Sequence, residues 1–251
     1  MKTVELVSYL DKLLEVSNYQ DYAPNGLQIQ GSAEITKIVT GVTASQALIE
    51  QAIELNADAI LVHHGYFWKG ESPVITGMKQ RRIKALLDNN INLIAYHLPL
   101  DGHAIFGNNA QLATLWDLTD ITAELSNEAN SLLRVGKLNA QIPFAEFKAK
   151  VDGTLNRQSL HLPGGKEQVQ TIAWCSGGAQ GYIEQAKNLG ADVYISGEVS
   201  EQTTHFALEE QIHYLAAGHH ATERLGVKSL GEHLQKEFNL DIEFLDITNP
   251  V

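Results

Sequence analysis

Apolar residues recur along this chain at two spacings, and the change from one to the other marks out its helices and strands. Val4, Leu6, Leu10, Leu13 and Leu14 share one face of a helix predicted over residues 3–16. Asp21-Tyr22-Ala23-Pro24-Asn25-Gly26 is turn chemistry, with Asn-Gly able to take positive φ. Leu27 to Gly31 then alternates, as a short half-buried strand does. Ile35 to Val42 reads as a further strand, and Thr43 or Ser45 can cap the helix that runs to Leu55. Ala59-Ile60-Leu61-Val62 is an apolar run bounded by polar residues, the signature of a strand buried in a parallel sheet. Together these make a β-α-β unit with a right-handed crossover. A basic helix from about Met78 to Leu87 leads into a strand over residues 91–96, and Gly107-Asn108-Asn109 starts a helix through Trp116.

Residues 120–170 are more polar, with Asn127, Asn130, Asn139 and the Pro163-Gly164-Gly165 turn. They read as the approach to a second lobe, with a helix from about Phe144 to Leu155. Beyond them the chain echoes itself. Residues 38–58 align without gaps on residues 172–192, with identities at Gln46/Gln180, Ile49/Ile183, Glu50/Glu184, Gln51/Gln185, Ala52/Ala186 and Asp58/Asp192. The stretch Leu93 to Asp101 matches Leu215 to Glu223, each ending a strand in histidine with an acidic residue four positions on. The expectation is an α/β fold of two related, intertwined lobes, an internal duplication. The first lobe would take residues 1–125 and 219–251, the second residues 126–218.

Composition narrows the chemistry. A hydrophobic share of 44% with 19% charged residues is ordinary for a globular chain long enough to bury a substantial core. No apolar run approaches the roughly 20 residues that span a bilayer, and the start of the chain lacks the apolar core of a signal peptide. A net charge of −12 argues against non-specific nucleic-acid binding, which needs basic surface. The single cysteine, Cys175, excludes an internal disulfide framework and fits a reducing cytoplasm. It also excludes a thiolate-rich zinc site, so any metal here would be held by histidine and carboxylate.

Ten histidines are many for such a chain, and the informative ones cluster at strand ends. Ala59 to Val62 stops on His63-His64-Gly65. Ligands in open α/β sheets bind beyond the carboxyl ends of strands. Adjacent residues on a regular strand point to opposite faces, so His63 and His64 can share a site only where the strand breaks, and Gly65 allows that break. The other strand ends add His97, Asp101, Glu198, His219, His220 and Glu223. Imidazole with carboxylate is the donor set for zinc, iron, manganese or nickel when sulfur is absent. A carboxylate can bridge two ions, so the inventory supports a pair about 3.5–4 Å apart, the arrangement of many hydrolytic sites. If Ala221 opens the last helix, Glu223 lies in its first turn near His219.

His97 is read either as a proton-transfer or supporting residue or as a packed histidine bonded to backbone. His220 is read as turned away or as supporting a ligand from behind, and His103, His161, His205, His213 and His233 as surface or structural. The loop after Gly65 offers Tyr66, Phe67 and Lys69 as a stacking floor for a planar ligand. Trp68 is read there as an anchor for the loop or for an oligomer contact.

Several motifs together resemble the GTP cyclohydrolase I type 2 homologue family, also known as the NGG-interacting-factor-three-like family. They are Ala23-Pro24-Asn25-Gly26-Leu27-Gln28, Val62-His63-His64-Gly65, His97 with Asp101, Gly107-Asn108-Asn109, Ser196-Gly197-Glu198 and Gly218-His219-His220-Ala221-Thr222-Glu223. The resemblance implies two intertwined lobes with a dinuclear metal centre in the cleft between them. It implies His64 and Asp101 on one ion, His63 and His219 on the other, and Glu223 as bridge. It also implies a ring-shaped homohexamer, in the short form without the domain that some members carry between the lobes.

The expected function is a cytoplasmic, metal-dependent hydrolase with two divalent ions per chain, acting on a nucleotide-like small molecule. GTP cyclohydrolase-type ring opening at C8 of guanine is one such reaction. The alternatives are a non-catalytic metal-binding regulatory or scaffold protein, or a metal store or chaperone.

Overall fold

A computed structural model describes residues 1–123 and 132–251. Asn127, Asn130 and the lobe boundary expected after residue 125 lie outside the described residues. In chain order the first elements are α1 (Thr3–Leu13), β1 (Gly26–Ile29), β2 (Lys37–Thr43), α2 (Gln46–Glu54), β3 (Ala59–His64), α3 (Gly77–Asp88), β4 (Asn92–Ala95), α4 (Leu98–Gly102) and α5 (Asn108–Leu115). They are followed by β5 (Thr119–Ala123), β6 (Arg134–Pro143), α6 (Phe144–Leu155), β7 (Leu160–Leu162), β8 (Gln168–Trp174) and α7 (Ile183–Asn188). The last are β9 (Val193–Ser196), α8 (Glu201–Glu209), β10 (His213–Ala216), α9 (His219–Phe238) and β11 (Asp241–Phe244). These residues form two compact units, Met1–Gly107 with Gly226–Thr248, and Asn108–Leu225 with Asn249–Val251.

The sheet of the first unit runs β1-β4-β3-β2-β11. Strands β11, β2, β3 and β4 are parallel, and β1 lies antiparallel on β4. Both faces of β2 and β3 are covered, which is why their sequences are near-continuously apolar. Ile38, Val42, Ala59 and Leu61 pack against Leu6, Leu10 and Leu14 from the first helix region and Val227, Leu230 and Leu234 from α9. Their alternates Val39, Ile60 and Val62 pack against Leu48, Ile49 and Ala52 of α2 and Ile83 and Leu86 of α3. Two residues depart from the pattern. Val4 is 71% exposed, because the buried stripe of α1 is carried by Leu6 and Leu10. Leu27 is exposed because β1 shifts register against β4 between Leu27 and Ile29.

The second unit's sheet, among the described residues, runs β5-β6-β8-β9-β10-β7. Its parallel strands β8, β9 and β10 are flanked by the antiparallel β6 and β7. One face holds Trp116, Phe147, Val151 and Trp174, and the other Ala173, Tyr194 and Tyr214. Each unit therefore has parallel strands whose carboxyl ends open onto loops. In the first unit Ser45 caps α2, accepting from the Leu48 N–H at 3.3 Å, which leaves the Thr43 hydroxyl to a histidine. Helix α9 opens at His219, two residues before the expected Ala221.

Candidate metal centre

In the first unit, β3 delivers His63 and His64, the β4–α4 connection delivers His97, and the first turn of α4 delivers Asp101. Gly65 follows directly; a Cβ there would lie 2.2 Å from Gln28 Oε1, so only glycine lets the chain leave the strand at this point. His63 is fully buried, and its Nδ1–H donates to the Tyr96 carbonyl at 3.0 Å. A carbonyl only accepts, so Nδ1 carries the proton and Nε2 the lone pair. That Nε2 lies 3.5 Å from Oδ2 of the buried Asp101. His64 Nδ1 lies 3.2 Å from the Thr43 hydroxyl. The ring centroids of His63, His64 and His97 are 4.6 to 5.7 Å apart, and their ligand-bearing nitrogens all fall within 4.8 Å of one another.

His97 is clamped from the turn ahead of β1. Its backbone N–H donates to Asn25 Oδ1 at 2.8 Å, and its Nδ1–H to Asp21 Oδ1 at 2.7 Å. Asp21 Oδ2 accepts from the Leu98 N–H and from Asn25 Nδ2, both at 2.9 Å. Burial pushes the Asp21 carboxyl up, but the hydrogen bond and charge of His97, with help from Asn25 and the Tyr22 N–H, outweigh it and hold the group at about 2.

The second unit presents a comparable arrangement. His219, the first residue of α9, uses Nδ1 on Glu198 Oε1 at 2.7 Å, while its Nε2 lies 3.2 Å from Glu223 Oε2 one helical turn on. Burial alone would lower the His219 imidazole, but bonding and charge from Glu223 and Glu198 raise it to about 9. Backbone crowds close. A Cβ on Gly177, which sits at φ +65°, would lie 2.1 Å from Glu223 Oε1 and 3.1 Å from His219 Nε2. The spacing to the strand differs between the units. Val62 pairs with Ala95, two residues before His97, and Ser196 pairs with Ala216, three before His219. Gly218, at φ +98°, accommodates the additional residue.

This donor set fits a divalent metal. His63, His97 and His219 each spend Nδ1 on an oxygen that accepts, leaving Nε2 to coordinate, and each has the supporting partner typical of metal-ligating histidines. Two of these nitrogens face a buried carboxylate at 3.2–3.5 Å, a spacing that a cation between them would satisfy.

The other candidates fall as follows. Tyr66 is buried, and its hydroxyl donates to the Ala44 carbonyl at 2.8 Å. Phe67 is 38% exposed at φ +67°, and Lys69 is exposed while its N–H donates to the Tyr22 carbonyl. Trp68 packs edge-to-face on His97 at 4.9 Å and lies 5.9 Å from His64. His220 is buried, with its backbone N–H on the Val251 carbonyl. His161 and His213 bond to each other at 3.1 Å, well outside these clusters in sequence and partners. From the sequence Asp21 reads only as a turn residue and Thr43 only as a possible helix cap, and Asn25 enters as a turn and motif residue without a partner. For Asp21 and Asn25 the one local signal is the Asx-rich turn itself, and short polar residues in turns are ordinary. No periodicity marks a turn that reaches back to a strand end 76 residues away.

Comparison with known proteins places these features. The chain is 51% identical over 251 residues, the whole of both sequences, to a Salmonella typhimurium protein named GTP cyclohydrolase 1 type 2 homolog. A solved structure described as protein ybgI, of unknown function, superposes with a TM-score of 0.96 at 50% identity over all of both chains. TTHA1606 from Thermus thermophilus superposes at 0.92 with 33% identity, again over all of both chains. Residues 1–250 match the family described as Duf34/NIF3 (NGG1p interacting factor 3), and the chain belongs to that family.

Proposed function

We propose that this protein is a metal-dependent hydrolase of nucleotide-like small molecules, built on a dinuclear metal centre and two duplicated lobes. In this reading His64 and Asp101 would hold one ion and His63 and His219 the other, with Glu223 as a ligand available to both. The observation that carries it is the commitment of Nδ1 on His63 and His219 to fixed acceptors, which leaves each Nε2 toward a buried carboxylate. The duplication is supported by a matched detail: Asp58 Oδ2 accepts from the N–H groups of Thr36 and Lys37, and Asp192 Oδ2 from those of Gln170 and Thr171.

Two ions, when bound, would lower the pKa of a shared water and stabilise negative charge on an attacked carbon or phosphorus. The chain's own groups supply the rest. His97, held through Nδ1 by Asp21, keeps Nε2 to accept or deliver a proton. Tyr66 pins the floor of the loop, and Phe67 and Lys69 reach the substrate. The relatives' name points to a guanine nucleotide, and cyclohydrolase-type ring opening is the reaction to test first. The reading includes self-association into a ring-shaped homohexamer and a cytoplasmic location, the latter in keeping with the lone cysteine.

Metal analysis of the native protein is the decisive experiment, alongside His63→Ala and Glu223→Ala. About two equivalents per chain are expected, lost in both variants with circular dichroism unchanged. Nucleotide turnover by the metal-loaded form then tests the reaction. Metal content that is low and indifferent to both substitutions would overturn the reading.

A further inference from the structure

Of the three aromatics that open the loop after His64, two are already engaged. Tyr66 is buried with its hydroxyl on the Ala44 carbonyl. The Phe67 ring is covered by its own cation, the Lys79 ammonium 5.1 Å from the ring centroid. Trp68 is different. Its indole lies edge-to-face on His97 and within 5.9 Å of His64, yet the residue stays partly exposed. The other two tryptophans are fully buried and satisfied: Trp116 donates to Thr154 Oγ1 at 3.2 Å and Trp174 to the Asn109 carbonyl at 3.0 Å. The Trp68 Nε1–H has no hydrogen-bond partner among the described residues.

The indole does not hold the loop, because the backbone is fastened independently. The Tyr66 N–H donates to Gln28 Oε1 at 2.7 Å, the Lys69 N–H to the Tyr22 carbonyl at 2.6 Å, and the Glu71 N–H to the Trp68 carbonyl at 2.9 Å. Glu71 is tied in turn to Lys79 at 3.3 Å. An aromatic face and a spare N–H donor are thus held rigidly beside imidazoles that the loop does not need for its own stability. Ordering a side chain in advance removes an entropy loss that binding would otherwise carry.

We infer that Trp68 seats the planar ring of the substrate against the His64 and His97 imidazoles, its face stacking on a purine-like heterocycle and its N–H meeting a ring or exocyclic acceptor. This rests on the hydrolase reading above and names the ring, rather than the phosphates, as the group recognised here. It gives Trp68 a substrate contact in place of the anchoring role read from the sequence, beside the contacts proposed for Phe67 and Lys69.

The test uses zinc-loaded protein with two probes, guanosine and inorganic tripolyphosphate, whose binding is measured by calorimetry in wild type, Trp68→Phe and Trp68→Leu. Stacking predicts that the leucine variant loses about tenfold or more in guanosine affinity while the phenylalanine variant stays within about threefold. Tripolyphosphate affinity and zinc content should be the same in all three. In wild type, guanosine should also change the tryptophan fluorescence, because Trp116 and Trp174 are buried away from ligand. Unchanged guanosine affinity in Trp68→Leu would overturn the inference, as would an equal loss for tripolyphosphate. Zinc-loaded wild type that ignores guanosine would overturn it too while leaving the metal reading intact; a protein that holds no zinc would take both down.

Discussion

Asp21 Oδ1 lies 2.7 Å from His97 Nδ1, and the same carboxylate accepts from the backbone N–H of Leu98. One acidic side chain from a turn thereby fixes both the ring and the main chain at a strand end. Its consequences are measurable in acid. The carboxyl is held at about 2, below its ordinary value of 3.8, so the folded state favours the ionised form. The stabilisation is fully present above the ordinary value and is lost as pH falls through that window toward 2. Thermal unfolding should therefore show a drop in Tm below about pH 4 in wild type that is shallower in Asp21→Asn. Parallel curves for the two proteins would contradict the pairing.

The His161–His213 pair carries the same sign in a higher pH window. Burial first, then the charges of His213 and Lys148, lower His161 from 6.5 to about 4. His213 Nε2–H donates to the Lys166 carbonyl, so its Nδ1 accepts from His161 and both rings are neutral in the fold. The unfolded chain takes up protons that the folded one refuses, so stability should fall between pH 6.5 and 4. Titration of the His161 ring protons by NMR should give a midpoint well under the ordinary histidine value, and His161→Phe should flatten that part of the stability profile.

Glu198 acts on the second unit's ligand through Nδ1 of His219. Removing such a supporting carboxylate typically weakens metal affinity by about 10–100-fold. Glu198→Ala should do so in a chelator competition with zinc. Glu198→Gln should fall between, because its amide oxygen still accepts from Nδ1–H.

Gly177→Ala should damage the same place by a different route. A Cβ there would lie 2.1 Å from Glu223 Oε1, and the backbone sits at φ +65°. The left-handed conformation alone costs a non-glycine residue about 1–2 kcal/mol, and the displaced Glu223 should release metal. Gly181→Ala, where an added Cβ meets nothing within 4 Å, is the control and should leave metal content unchanged.

Hydrophobic periodicity by itself determined most of the scaffold. The apolar run from Ala59 to Val62 could only be satisfied between two covered faces, and α6 spans the predicted Phe144 to Leu155. The candidate donors His63, His64, Asp101, His219 and Glu223 were legible for a related reason: they stand at the ends of those strands or in the turn that follows. Tertiary structure alone decided how the donors are held. The His63 tautomer follows from the Tyr96 carbonyl, and the ring orientations of His97 and His219 follow from the carboxylates of Asp21 and Glu198. In the first two cases the partner is 33 or 76 residues distant from the histidine it orients. Helix α9 begins at His219 rather than Ala221, with Gly218 at φ +98° absorbing the residue that separates the second unit's spacing from the first. Periodicity reports which face of an element is buried. It carries no record of which distant atom meets a given side chain, because that contact is made only when the chain closes on itself.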